Sequence, residues 1–410
     1  MTISGGRSAG QPVGAKTNLS SSSSPSSLKV AWLSRALHSY RLPLLRCLAA
    51  APELQVTVFC GTSTQPGVLS PTEALPVHAE WLWNRVLRFR NAQLVRQGAS
   101  RRLLTGDFDV IICPEVVHNL TVWAVWLLRR IFGKRLVIHG FGYRPRSYSS
   151  TSDGSLRNLL RRRLLAGADA IICYTERGRR ACIEDGIDRT KIFVSMNTLD
   201  TRRLIELGDR VPADQLSALR GHLGIHNDLV LLHVGRLRDF NRVDVLVEAV
   251  RELGRRGQRV VLLVIGDGPA RSGLQQRAAG LEGVHFLGPI YEEKELALYF
   301  ALSDLVVRPV RIGLTCVHAF SYGLPVLTAS NAVAEQTPEY DYVVGDVNGC
   351  IVGSLEPQAF SNAILELIER PDRLAAMKAA ARETARGLSI EHMAAEFIAA
   401  INSAAGTSRT

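Results

Sequence analysis

From Arg308 to Val326 the chain reads "RPVRIGLTCVHAFSYGLPV" and carries no aspartate or glutamate. Whatever this stretch binds, it cannot hold it through a carboxylate. Long apolar runs are missing as well. The segment Leu120 to Leu128 stops at Arg129-Arg130, far short of the roughly 20 residues that a spanning helix needs. The N-terminus, "MTISGGRSAGQPVGAKTNLSSSSSPSS", offers no apolar stretch to act as a secretory signal. Residues 1–27 are therefore expected to form a disordered tail, and the protein to stay in the cytoplasm. The seven cysteines are odd in number, scattered, and include no C-x-x-C pair, which excludes a disulfide framework and a zinc site. Cys60, Cys113 and Cys173 fall in apolar strand-like runs, as small buried hydrophobes do. No G-x-G-x-x-G follows the first strand-like segment, "VAWLSRALHSY", so a dinucleotide-dependent oxidoreductase is set aside.

What is present is a chain of 410 residues, 46% hydrophobic and 21% charged, long enough for two globular domains. The net charge of +11 is unevenly spread. Residues 28–200 hold 25 Lys or Arg against 13 Asp or Glu, a net of +12; residues 201–410 hold 22 against 25, a net of −3; the tail adds +2. The clusters "WLWNRVLRFRNAQLVRQGASRR" (81–102), "LLRRIFGKR" (127–135) and "RNLLRRRLL" (157–165) set Arg beside Trp, Leu and Phe. On helix-like segments that pattern suits an anionic membrane surface. A solvated basic face with its apolar residues turned inward would read the same way. Nucleic acid also suits the charge but has no accompanying motif, so it ranks behind both.

Short Val-, Ile- and Leu-rich runs alternate with longer amphipathic ones. In the first half they lie at 29–34, 56–60, 109–115, 135–140, 170–175 and 192–197. In the second they lie at 229–235, 260–266, 284–288, 305–309, 325–329 and 349–353. Apolar runs without polar alternation belong to strands buried on both faces, as in parallel sheets. The expected fold class is α/β, with two doubly wound Rossmann-like domains, 28–200 and 215–370, facing a cleft. The Ala-rich helical segment 371–410 is expected to pack back towards the first domain. Ligands of such folds bind at the carboxyl ends of the strands.

Three segments of the second half could meet there. In "HVGRLRDFNRVDVLVEAV" (233–250), Gly235 and Arg236 follow a strand while Asn241 and Arg242 open a helix. Two guanidinium groups with free backbone N–H groups suit a diphosphate. "VIGDGPA" (264–270) runs a strand into a turn at Gly266 and Gly268, a weak signal alone. Gly313, Leu314 and Thr315 precede a helix whose first N–H groups lack internal partners. Anion capture there needs no acid.

Taken in order, "HVGRL", "VDVLVEAV", "VIGDGP", "VHFLGPI", "ELALYFALSDLVVRP", "GLPVLTA" and "PEYDYVVGDVNGCIVG" resemble the nucleotide-sugar half of a GT-B glycosyltransferase of family 4. The first half is similar only at "YRLPLLRCL", "GFGYR" and "NTLD". The resemblance implies a nucleotide-sugar domain at 215–370 and an acceptor-side domain at 28–200. It also implies a UDP- or GDP-linked sugar as co-substrate, with no further cofactor. Departures are specific. The family's Glu-x7-Glu falls on Val310 and His318, its Lys on Asn241 beside Arg242, and its first-domain His on Phe141, two residues after His139. A bacterial polysaccharide-type subgroup has the same "GLT", His and "YG-P-V" order.

The activity so implied is retaining hexosyl transfer to a glycan or polyprenyl-diphosphate-linked acceptor in cell-surface polysaccharide synthesis, peripheral to the inner membrane face. Arg236, Arg242 and the N–H groups of Leu314 and Thr315 are expected to hold the leaving phosphate. His318 would reach ribose or phosphate, Glu339 the sugar hydroxyls, and His139 would stand in the cleft. No metal is expected, since this chemistry needs none and no Asp-x-Asp of the sort that would hold one is seen. A nucleotide-sugar epimerase of the same fold and a non-catalytic binding subunit remain alternatives.

Overall fold

The computed structural model describes residues 27–62, 69–70, 74–89, 92–143, 153–332 and 335–406. The tail expected at 1–27 therefore lies outside the described residues except for its last position, as do Arg90 and Asn91 in the 81–102 cluster and Arg144 of "GFGYR".

The first half contains strands β1 (Leu28–Ser34), β2 (Leu54–Gly61), β3 (His78–Leu82), β4 (Asn84–Phe89), β5 (Ala92–Gln97), β6 (Val110–Pro114), β7 (Arg135–Gly140), β8 (Ala170–Cys173) and β9 (Ile192–Val194). Its helices are α1 (Leu42–Ala50), α2 (Ser100–Thr105), α3 (Leu120–Leu128), α4 (Asp153–Ala166) and α5 (Glu176–Glu184). Seven strands form one parallel sheet in the order β3-β2-β1-β6-β7-β8-β9, while β4 and β5 pair as an antiparallel hairpin. Central strands such as Val110–Pro114 are buried because helices cover both faces.

Helices α6 (Thr201–Asp209) and α7 (Ala213–His222) lead into the second half. There β10 (Leu229–Val234), β11 (Val260–Ile265), β12 (Val284–Gly288), β13 (Leu305–Val307), β14 (Val326–Ala329) and β15 (Gly349–Val352) alternate with α8 (Val243–Arg255), α9 (Arg271–Arg277), α10 (Glu293–Leu302), α11 (Thr315–Ser321) and α12 (Pro357–Glu369). The six strands are parallel, ordered β12-β11-β10-β13-β14-β15. In both sheets the chain winds one way from the first strand, through β3 and through β12, and then crosses back to the first strand's other side. The switch points lie between β1 and β6 and between β10 and β13, which is where crevices open.

Helices α13 (Pro371–Gly387) and α14 (Ile390–Ala405) end the described chain. They part company: α13 packs on α11 of the second sheet, whereas α14 packs on α1 and across β7, β8 and β9 of the first. The hydroxyl of Thr198 donates to Leu388 O at 2.6 Å, just before α14 begins. The two halves also meet directly. Asn197 N–H donates to Tyr342 Oη at 2.8 Å, Asn197 Nδ2 to Glu339 Oε1 at 2.5 Å, and Arg177 Nε faces Asp341 at 3.2 Å.

One expectation needs correcting. The segment 81–102 is not helix-like: it ends β3, forms the β4–β5 hairpin and only then begins α2. "NRVLRF" and "AQLVRQ" set Val and Leu side by side, so the cross-strand pairs Val86–Val95 and Leu87–Leu94 fall on opposite faces of the hairpin. No helix among the described residues is long and apolar enough to cross a membrane.

Candidate active site

Beside the second switch point, on its β11 side, the turn after β10 meets the turn after β11. Gly235 N–H donates to Ile265 O at 2.9 Å and Leu237 N–H to Asp267 O at 3.0 Å, so the two turns are stitched together. The fit depends on glycine. Gly266 has φ +137°, and a Cβ there would stand 1.9 Å from Gly235 O. Gly266→Ala therefore forces the turns apart, and we expect a loss of about 2 kcal/mol. A urea midpoint unchanged from wild type would contradict that.

The stitched turns line a cavity of about 590 Å³ bounded by Gly235, Arg236, Arg238, Gly266, Gly268 and Tyr291 among others. Arg236 is exposed, and no hydrogen bond or ion pair ties its guanidinium among the described residues. Arg238 stands over the exposed Phe240 ring, 5.7 Å from its centroid. A second hollow of about 570 Å³ adjoins through Arg238 and Pro269 and is lined by Arg242, Asp244 and Arg277.

The expected residues divide between these places. Gly235, Arg236, Gly266 and Gly268 line the first cavity. Arg242 lines the second, in a left-handed conformation (φ +53°), with its Nε 3.2 Å from Asp244 Oδ1. Asn241 is buried and turned inward, its Nδ2 donating to Arg236 O at 2.5 Å. It holds the turn rather than facing the cavity.

Gly313 N–H is taken by Thr337 Oγ1 at 2.8 Å, while the N–H groups of Leu314 and Thr315 have no partner among the described residues. His318 has found a carboxylate of its own: Nε2 lies 3.2 Å from Glu293 Oε1, and its ring stacks on Phe300 at 5.6 Å. Glu339 is buried with Oε1 on Asn197 and Oε2 without a partner among the described residues.

His139 belongs to the first half. It is buried among the rings of Trp32, Tyr174 and Phe397, and it borders a cavity of about 360 Å³ with Glu115, His118, Phe141 and Tyr143. Glu115 accepts from Gly142 N–H at 2.8 Å and faces Arg161 at 3.4 Å, which fixes the loop carrying Phe141. Burial raises the Glu115 carboxyl above its ordinary value in spite of those donors. Sequence reasoning missed Glu115, Arg161 and His118. Glu115 and His118 closely follow the end of β6, a signal the sequence offers; Arg161 lies inside α4 and no local signal points to it.

His139 and His233 are both held neutral. Burial is the main cause, seconded by Arg41 beside His139 and Arg308 beside His233; His233 is lowered to about 3 and His139 well below the usual imidazole value. The unfolded imidazole titrates near 6.5. The folded state therefore binds fewer protons, and stability present above about pH 6.5 is lost as pH falls. From pH 7 to 5.5 each histidine is expected to remove about 1 kcal/mol. Urea unfolding at the two pH values should show the loss, and His233→Gln should reduce it.

Two family models cover most of the chain: "Glycosyl transferase 4-like domain" matches residues 36–198 and "Glycosyl transferases group 1" residues 228–370. A D-inositol 3-phosphate glycosyltransferase of Nocardia farcinica is 30% identical over 329 residues, 74% of this chain and 68% of that one. The chain belongs to the family 4 type of GT-B glycosyltransferases. The homologous enzyme of Kineococcus radiotolerans is 30% identical over 244 residues, 55% of this chain, and the alignment spans only 54% of that relative's length. In fold, this family member superposes on Anabaena Alr3699/HepE in complex with UDP, with a TM-score of 0.68 at 19% identity, covering 90% of this chain and 98% of the other. The chain's one Asp-x-Asp, Asp107-Phe108-Asp109, lies at the opposite end of β6 from the cavities and is engaged by Lys29.

Proposed function

We propose that this GT-B protein transfers a hexosyl unit from a UDP- or GDP-linked donor to a glycan or polyprenyl-diphosphate-linked acceptor, with retention, in the synthesis of a cell-surface polysaccharide. The observation that carries the reading is the cavity at the carboxyl ends of β10, β11 and β12, where Arg236 and Arg238 stand beside two glycine turns. In retaining transfer the nucleoside diphosphate leaves while the acceptor attacks the same face of the sugar. Negative charge then grows on the leaving phosphate, and fixed guanidinium groups beside it lower the barrier. The first-half cavity around His118, Phe141 and Tyr143 is the natural acceptor side, and the relatives that act on inositol 3-phosphate add a phosphorylated polyol to the acceptors worth assaying.

The assay uses radiolabelled UDP- and GDP-sugars with lipid-linked and polyol acceptors. Label moving onto an acceptor supports transfer. Label changing configuration without an acceptor would establish an epimerase instead, and nucleotide binding with no turnover a binding subunit.

Contact with an anionic membrane surface is part of the proposal. Trp83 just before the hairpin, Val86 and Leu87 on it, and Leu127, Ile131 and Phe132 at the end of α3 are exposed on the half with a net charge of +12. Each Lys or Arg near such a surface contributes about 1 kcal/mol, so a few give reversible docking. Sedimentation with phosphatidylserine or cardiolipin vesicles is expected at low salt and should be reversed by added salt. Binding that ignores salt, or that is absent, overturns this part.

A further inference from the structure

The acid-free stretch leaves one cation at its start without a counter-charge. Arg308 directly follows β13 at the second switch point. Its Nη1 donates to Val234 O at 2.6 Å and its Nε to Arg311 O at 3.2 Å. Arg311 is ion-paired with Glu335, but no carboxylate pairs with Arg308 among the described residues. Burial alone draws its pKa down to about 10, and the neighbouring His233 is itself kept neutral. The side chain is part-buried rather than sealed off. It lies across Gly235, where a Cβ would come within 2.1 Å of its Nη1. The glycine thus makes room for the guanidinium directly behind the turn that lines the larger cavity.

A partly desolvated charge with no counter-charge is costly to keep. The backbone carbonyls of Val234 and Arg311 fix the fork and leave further N–H groups uncommitted, a geometry suited to a planar or tetrahedral oxyanion.

We propose that Arg308 is an anion-binding residue of the donor site. Its fork is held by two backbone carbonyls, and its free N–H groups are given to an anionic oxygen of the donor. That oxygen is either on the phosphate next to the sugar or on a carboxylate carried by the sugar. This rests on the nucleotide-sugar reading of the cavity. It adds a third guanidinium, contributed by β13, to the two that follow β10. It also accounts for a stretch without acids, because a glutamate beside Arg308 would neutralise it before any ligand arrived.

The test titrates UDP, UDP-glucose and UDP-glucuronic acid, with their GDP counterparts, calorimetrically into wild type, Arg308→Gln and Arg308→Lys, after thermal unfolding has shown each to be folded. A charged hydrogen bond of this kind corresponds to about 10- to 100-fold in affinity. If the phosphate is the partner, Arg308→Gln loses that factor for all the ligands alike. If a sugar carboxylate is the partner, the loss appears with the glucuronate alone. Arg308→Lys, which keeps the charge, is expected to recover part of it. Should Arg308→Gln not fold, Arg308→Lys carries the test, with a loss of several-fold expected because the fork is gone. A folded variant that binds every ligand as wild type does overturns the assignment of Arg308. A wild type that binds none of the nucleotides overturns the nucleotide-sugar reading itself.

Discussion

Arg236→Ala is expected to lower kcat by about 10²- to 10³-fold while leaving the urea midpoint unchanged, since removing one fixed donor from a developing oxyanion has an effect of that size. The side chain is exposed and untethered, so it contributes little to the fold, and its position at the mouth of the stitched turns gives it a single evident use. Arg242→Ala is expected to be milder, about 10-fold or less, because that guanidinium is already paired with Asp244 in the adjoining hollow. The sequence alone ranked the two arginines equally. Single-turnover rates with saturating donor separate them. A normal rate for Arg236→Ala would remove the phosphate assignment, and an equal loss in both would return Arg242 to the first rank.

Phe397→Ala is expected to cost about 3–5 kcal/mol, the range for deleting a fully buried phenyl ring. Phe397 has no exposed surface and sits 5.3 Å from the ring of Trp32 on β1 and 4.9 Å from His139 on β7. It fastens α14, a helix from the end of the chain, onto the first sheet. Losing it should lower the urea midpoint and open the environment of His139 to water. The imidazole pKa, followed by NMR, should then rise towards its ordinary value. A variant as stable as wild type would mean that α14 is held by its other contacts, Met393 and Ile401 among them.

The parallel sheets were legible because their strands are unbroken apolar runs. "VVLLVI" is buried at every position, and no helix-period pattern competes with it. The hairpin is not legible because Arg, Trp and Leu crowd together at 81–97 and neither of its strands alternates cleanly between polar and apolar residues. Site legibility followed the same line. Arg236 and the glycines stand next to strand ends, so the sequence alone located them. Arg308 also follows a strand, but its significance comes from what is missing around it, and a missing partner can be counted only in three dimensions. His318 was noticed for its register with an absent acid, and the structure shows it answered by Glu293 from another helix. No spacing within one segment could have shown that pairing.

The placement of α14 also sets a timetable. The first sheet is complete by Val194, yet the ring that closes its core is residue 397. A ribosome adding 5–20 residues each second needs roughly 10–40 s to cover that interval. For all that time the face of β1 and β7 awaiting Phe397 lacks the cover of α14. The first domain is therefore the earlier to be made and the later to be finished. Ending the chain before Ile390 would strand it as a domain with an open core.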